Sequence, residues 1–394
     1  MTKTLTSRAP ATGTPRSTAP GRHGTLVMAL GLVVAFAGAV VAVRIARDAT
    51  GDVTTFVSPA AAGAPTTGAV PTPPLSAVTP EQRSQHVPTP SSEHGQPPAR
   101  LSPRPPADGR DAPDPAVVRD GDRWALFSTQ VGFANVPVAV SDDLHHWTAP
   151  VDALPELPTW AETGRTWAPG VLHRDDGFAL YFAARSRALG LQCIGVATAS
   201  VIEGPYSSSA PEPLVCQPQL GGSIDPQPFL DRHGAAYLLW KADSNAIGQT
   251  SQLFAQRLRP DGLALIGEAA PLLRSDADWE QPLIENPALL AADGAYILLY
   301  SGGWWESGGY ATGYAVCDTP LGPCVKRTTE RPILAGAENE AGTGGASILT
   351  GPAGDHWLAY HAWSPGAIGY HSGGARSVRF ASIAWESNQL VVTR

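Results

Sequence analysis

Five times along the chain a glycine turn leads into a run of apolar and aromatic residues. The runs read DGDRWALFST, DGFALYFAARS, HGAAYLLWK, DGAYILLYS and GDHWLAYHA, and their glycines are Gly121, Gly177, Gly234, Gly294 and Gly354. The glycines stand 56, 57, 60 and 60 residues apart. Residues 279–301, WEQPLIENPALLAADGAYILLYS, hold the clearest copy, with Asp293-Gly294 dividing two apolar runs. Asp-Gly favours a hairpin turn, because glycine takes φ > 0 at no steric cost. Each unit therefore predicts strand, tight turn, strand. A third strand is expected around Ala139, Ala197, Ala255, Ala315 and Ala375, which follow their glycines by 18, 20, 21, 21 and 21 residues. Five units of four short strands predict an all-β, five-bladed β-propeller. A generic all-β sandwich would need five evenly spaced matches to be coincidence.

Registering the units aligns a set of acids. Ala168, Asp225, Glu285 and Gly345 each stand nine residues before a turn glycine, and Asp114 stands seven before the first. In a propeller the innermost strand of each blade lines the central channel, so these positions should converge on the axis. Asp114, Asp225 and Glu285 lie in the apolar or proline contexts APDPAVV, SIDPQPF and LIENPAL. Carboxylates are seldom placed in such company without a partner or a task. Each also has a plainer reading, as a turn cap for the two aspartates and a paired strand residue for Glu285.

The amino-terminal part is built differently. Residues 1–24 are polar and basic, and residues 25–43 are an uncharged apolar run of 19 residues. As a helix this run is about 29 Å long, enough to cross a bilayer core. Basic residues before it predict a cytoplasmic tail followed by an exported chain. A membrane or signal anchor is expected, with a cleaved export signal as the alternative. Residues 44–106 follow, and positions 49–106 hold 13 prolines among Ser, Thr, Ala and Gly with no apolar period. They predict a disordered or extended linker. Residues 107–394 then form the propeller. The location implied is extracytoplasmic and membrane-tethered, or secreted if the signal is removed.

Composition narrows the chemistry. Twenty-seven basic residues against 35 acidic ones, a net charge of −8, argue against nucleic acid as partner. There is no phosphate-binding Walker loop, no Gly-rich dinucleotide fingerprint and no G-x-S-x-G elbow. Four cysteines in an exported chain suggest two disulfides. Cys193 with Cys216 and Cys317 with Cys324 are favoured, because each pair brackets the third strand of one blade and its following loop. No CxxC occurs, and no metal site is expected.

Three carboxylates around one pocket suit glycoside hydrolysis, which needs an acid for the leaving oxygen and a base or nucleophile at the anomeric carbon. The stretches DAPDPAVVRDGDRWALFST, TWAPGVLHRDDGFALYFAARS, GGSIDPQPFLDRHGAAYLLWK and LIENPALLAADGAYILLYS resemble glycoside hydrolase family 43. The fifth unit resembles it more loosely through GTGGASI, WLAYHAW and ARSVRFASIAW. That family consists of five-bladed propellers acting on arabinofuranosides and xylosides with inversion. The resemblance implies Asp114 as general base, Glu285 as general acid, and Asp225 as the carboxylate that raises and orients the acid. It implies Arg376 near the bound sugar. Trp167 and Trp304 are candidate sugar platforms, since aromatic faces stack on sugar rings. His361 reads as a packed strand residue. Two departures stand out: Gly170 follows the WAP motif where many members have an acid, and Gly345 replaces a channel histidine, which argues against a channel calcium. The partner implied is an oligo- or polysaccharide. The alternatives are a carbohydrate-binding propeller without catalysis, and a retaining glycosidase or transglycosidase using the first aspartate as nucleophile.

The apolar run and the linker generate the first prediction. A reporter active only outside the cytoplasm, fused after Pro106, is expected to be active. A silent exported reporter beside an active cytoplasmic one at that junction would refute the topology.

Overall fold

The computed structural model describes residues 45–47, 53–55 and 100–394, apart from Asp293. The basic tail, the apolar run and most of the linker lie outside the described residues. Among the described residues no helix is long and apolar enough to cross a membrane. Residues 45–47 and 53–55 pair as a two-stranded antiparallel ribbon in a unit of their own.

The second unit is a five-bladed β-propeller. Its sheets follow one another along the chain, and every sheet is an antiparallel meander in sequence order. The innermost strands are Ala116–Asp120, Trp167–Arg174, Ser223–Leu230, Ile284–Ala292 and Ala341–Thr350. The predicted turn glycines all adopt positive φ, between 60° at Gly121 and 133° at Gly177. In blade four the turn joins Ala292 to its partner Ala295.

The second strands explain why their sequences are continuous apolar runs and not alternating ones. Each blade is sandwiched between two others, so both faces of its second strand are buried. Five apolar clusters fill the seams, one between each pair of neighbouring blades. Period two divides each strand between two clusters. Leu298 packs towards blade three and its neighbours Ile297 and Leu299 towards blade five. Leu358 packs towards blade four and Ala359 towards blade one. One second-strand leucine pairs with one third-strand alanine in every blade: Leu126 with Ala139, Leu180 with Ala197, Leu239 with Ala255, Leu298 with Ala315, and Leu358 with Ala381.

Two expectations are corrected here. Ala375 is not the third-strand alanine of blade five; it lies before that strand, Ser377–Glu386, and Ala381 takes the place. The longer loop of blade five displaced the spacing match. Blade two has three strands, not four. Isolated bridges Ile194–Val215 and Thr198–Ser207 stand where its outer strand would run. A proline-rich return, PYSSSAPEPLVCQP, cannot supply a full ladder of donors. It is tied to the blade by the Cys193–Cys216 disulfide. Cys317–Cys324 links the third and fourth strands of blade four, so both pairings are as expected.

No strand is shared between the first and last blades, so the ring closes through side chains and loops. The Leu101 N–H donates to Asp355 Oδ2 at 2.7 Å, and the Ala112 N–H donates to the Arg376 carbonyl at 3.1 Å. The Arg376 N–H donates to Asp111 Oδ1 at 2.7 Å, and Ser377 Oγ donates to the Gly109 carbonyl at 2.7 Å. This seam brings Asp114 and Arg376 together.

Candidate active site

Four of the five inner strands start with the same irregularity. In blade three Ile224 pairs with Lys241 and Gln227 with Leu239, so two residues face one. Blades two, four and five do likewise at Trp167/Gly170, Glu285/Ala288 and Gly344/Ser347. This is a β-bulge, which bends the strand and re-aims its side chains. The first bulged residue has positive φ in each, Ala168 44°, Asp225 57°, Asn286 54° and Gly345 62°, and Asp114, two residues before the inner strand of blade one, has φ 50°. Left-handed backbone costs a non-glycine residue roughly 1–2 kcal/mol, and such strain gathers at functional sites.

The bulges correct the sequence register. Asp114 and Asp225 occupy equivalent positions, but their counterpart in blade four is Asn286. Glu285 stands one residue earlier, level with Ile224 and Trp167. The blade-four hairpin is one residue shorter, so counting back from the turn glycine misaligned it. Glu285 still reaches the axis, entering it from the other phase of the strand.

A second ring of residues holds the first. At the end of each second strand stand Thr129, Ala183, Lys241, Ser301 and His361. Four of them reach forward to the next blade. Thr129 Oγ1 accepts from the Ala168 N–H at 2.8 Å and donates to Asp114 Oδ2 at 2.6 Å. Ser301 Oγ accepts from the Gly345 N–H at 2.9 Å. His361 Nδ1 accepts from the Asp114 N–H at 3.0 Å, and its ring stacks on Tyr310 with centroids 5.7 Å apart. Lys241 Nζ donates to Glu285 Oε2 at 2.9 Å and lies 3.4 Å from Asp243 Oδ1. Asp225 Oδ2 itself accepts from the Asn286 N–H at 3.0 Å. Glu285 Oε1 takes a further bond from the Tyr310 hydroxyl at 2.9 Å.

Arg376 is fixed on three sides. Its guanidinium lies 4.6 Å over the Trp305 ring, donates to the Tyr370 hydroxyl from Nε and Nη2, and stands 3.7 Å from Asp114 Oδ2. Tyr370 in turn donates to Asp111 Oδ2 at 3.0 Å.

The electrostatics follow from burial. Asp225 is pushed well above the ordinary carboxyl range, first by desolvation, then by the neighbouring Glu285 charge. Lys241 and the Asn286 N–H oppose that shift without reversing it. Burial would lower Lys241, but the charges of Glu285, Asp243 and Asp225 raise it, and it stays an ammonium. His361 is held well below its usual value by burial and then by Arg376, so its ring is neutral. Asp111 is raised by burial.

A cavity of about 530 Å³ collects these groups. Asp114, Asp225, Glu285, Trp167, Trp304 and Arg376 all line it, so the structure brings the sequence candidates together. Lys241, Tyr310 and Thr129 were missed, and His361 was read only as packing. The first and last left a signal: Lys241 and His361 are the polar residues that end the otherwise apolar runs YLLWK and LAYHA. The two glycine departures are steric. A Cβ on Gly345 would stand 2.5 Å from His361 Nδ1 and 2.8 Å from Asp114 Oδ1. One on Gly170 would stand 2.5 Å from the Pro226 carbonyl oxygen. Among the described residues no group of three or more His, Cys, Asp or Glu side chains is arranged to hold a metal ion.

Known proteins show the same framework. The family model described as Glycosyl hydrolases family 43 matches residues 104–391. A beta-D-galactofuranosidase of Aspergillus niger is 29% identical over 238 residues, covering 56% of this chain and 64% of the relative. An extracellular exo-alpha-(1→5)-L-arabinofuranosidase of Cellvibrio japonicus is 28% identical over 145 residues, covering 32% of this chain and 40% of the relative. The chain thus matches less than two thirds of the length of either curated relative. The crystal structure of a thermostable family-43 glycoside hydrolase superposes with a TM-score of 0.63 at 27% identity, covering 72% of this chain and 92% of that one.

The raised Asp225 carries a stability prediction. A carboxyl with a raised folded-state pKa leaves stability intact below about pH 4 and erodes it as pH rises through the folded value. Asp225→Asn keeps the shape and removes the titration. Relative to the parent, the variant's Tm should match near pH 3 and gain steadily towards pH 8. A variant that loses stability relative to the parent as pH rises would contradict the shift.

Proposed function

The chain belongs to glycosyl hydrolases family 43, and from that membership we propose that its propeller hydrolyses furanosidic or xylosidic bonds of neutral glycans, of the arabinan type, with inversion. One observation carries the reading: three carboxyls from blades one, three and four meet in one cavity with two buried cations.

In this scheme Asp114 accepts a proton from water as the water oxygen attacks the anomeric carbon. Glu285 gives its proton to the departing oxygen as the old glycosidic bond breaks. Inversion places acid and base about 6.5–9.5 Å apart, with water between them. Thr129 and the His361-bound backbone hold Asp114 in place. Tyr310 fixes Glu285 through Oε1. Lys241, an ammonium without a lone pair, cannot accept a hydrogen bond from protonated Glu285 and can only donate to that group's unprotonated oxygen. Asp243, 3.4 Å from the same ammonium, can take it over. Asp225 holds the inner strand of blade four through the Asn286 N–H and shares its field with the acid. Trp167, Trp304 and Arg376 form the walls against which the sugar rests.

Both named relatives act on furanosides, which supports that ring form here. Two disulfides and the apolar run at residues 25–43 support placement outside the cytoplasm, tethered to the membrane or released by signal cleavage.

The test varies the leaving group. Asp114→Asn should abolish release from every substrate. Glu285→Gln should cost about 10²- to 10⁴-fold where another sugar departs, the usual worth of proton assistance. It should cost far less with 2,4-dinitrophenolate, which leaves without a proton. Equal slowing of both substrate types would remove Glu285 from the acid role.

A further inference from the structure

Lys241 breaks the pattern of the axial ring. At three seams the residue in its place, Thr129, Ser301 or His361, accepts an inner-strand N–H of the next blade. Between blades three and four that N–H belongs to Asn286, and Asp225 accepts it. Lys241 therefore holds no backbone across the seam. Its side chain is 1% exposed, and a buried ammonium is costly unless opposite charge meets it. Filling the space does not need a charge: Ala183, fully buried, stands at the same position of blade two. The lysine is explained by the carboxyls it meets.

Those carboxyls share it. Lys241 Nζ stands 2.9 Å from Glu285 Oε2 and 3.4 Å from Asp243 Oδ1. The Tyr310 hydroxyl takes the other oxygen of Glu285, Oε1. A hydroxyl can turn from donor to acceptor, and an ammonium cannot. A proton on Glu285 is therefore favoured on Oε1, where Tyr310 can adjust, while Lys241 keeps to Oε2. Asp225 faces Glu285 from the inner strand of blade three and is held towards its neutral form by burial and by that neighbour. Tyr310, pushed well above its usual value by burial and then by Glu285, stays a hydroxyl. Asp114 stands in the same cavity with Arg376 turned to it at 3.7 Å, so Lys241 is the cation that answers Glu285.

We propose, on the glycosidase reading of Glu285, that the Lys241–Asp243 pair sets the strength of the acid. As the Glu285 O–H bond breaks, its electron pair stays on the carboxylate and its proton passes to the departing oxygen. Lys241 stabilises the carboxylate so formed, and preorganised charge of this kind favours the transfer. Asp243 tempers that pull by holding the same ammonium while Glu285 is protonated. Lys241 is thus a positioning residue that acts through Glu285, and Asp243 acts through Lys241.

Titration of the Glu285 carboxyl tests this without turnover. Its carbon-13 signal in glutamate-labelled protein is the one missing from Glu285→Gln. Lys241→Met, which keeps the length and removes the charge, should raise the Glu285 midpoint by about one to three pH units, the usual effect of an opposite charge at this range. Asp243→Asn frees the ammonium for Glu285 and should lower the midpoint, by roughly half a unit. In the kinetic arm, at a pH where Glu285 is protonated in both proteins, Lys241→Met should slow release about tenfold where another sugar departs, because a weaker acid gives up its proton less readily. Release of 2,4-dinitrophenolate should change far less. A merely structural ion pair would not move the two midpoints in opposite directions. Asp243→Asn is nearly isosteric, so it decides the question if Lys241→Met fails to fold. A midpoint unmoved in either folded variant, or moved the same way in both, overturns the proposal. Midpoints that move as expected in a protein that releases no sugar would instead overturn the glycosidase reading and leave the charge pair standing.

Discussion

The structure depends on a hydrogen bond handed from one blade to the next. The turn of the chain at the head of an inner strand takes a backbone N–H out of the ladder, and a buried N–H must find an acceptor. Thr129, Ser301 and His361 supply it from the preceding blade, and Asp225 does so between blades three and four. The same contacts hold the positive-φ backbone at Asp114, Ala168, Asn286 and Gly345. Blade packing and site geometry are thus one problem. The apolar seams fix how far apart the blades stand, and the axial hydrogen bonds fix how their inner strands are turned.

The second constraint is charge. Five carboxyls and two cations share the walls of one cavity, and desolvation forbids all five from ionising freely. The tension is relieved in two ways. Asp225, deeply buried beside Glu285, is held towards its neutral form, while Lys241 and Arg376 place their positive charges 2.9 Å from Glu285 and 3.7 Å from Asp114. Arg376 is itself braced by Trp305 and Tyr370 at the closing seam. The ring therefore closes beside Asp114, and the first and last blades are joined by groups that line the cavity.

Much of this was legible in the chain, for physical reasons. Turn glycines need positive φ and announce themselves at a fixed period. Second strands buried on both faces must be apolar throughout, so WALF, YLLW and ILLY stand out. The acids were visible because proline and apolar neighbours are rare company for a carboxylate. What was hidden depended on counting through variable loops. Glu285 is one residue out of register because a hairpin lost a residue, and Ala375 was mistaken for Ala381 because a loop grew. Lys241 and His361 could not be placed from the chain, because their partners lie 44 and 247 residues away. Only the closed ring makes them neighbours. Blade two lacks its fourth strand through proline chemistry that the repeat length did not reveal.

In the proposed mechanism water, activated at Asp114, attacks the sugar directly in a single displacement. Proton NMR of the first sugar released, recorded before the anomers equilibrate, reads this without a variant. Single displacement gives the anomer opposite to that of the substrate at the earliest time points. Early release of the anomer with the substrate's own configuration would mean a covalent intermediate on the protein, and would contradict it.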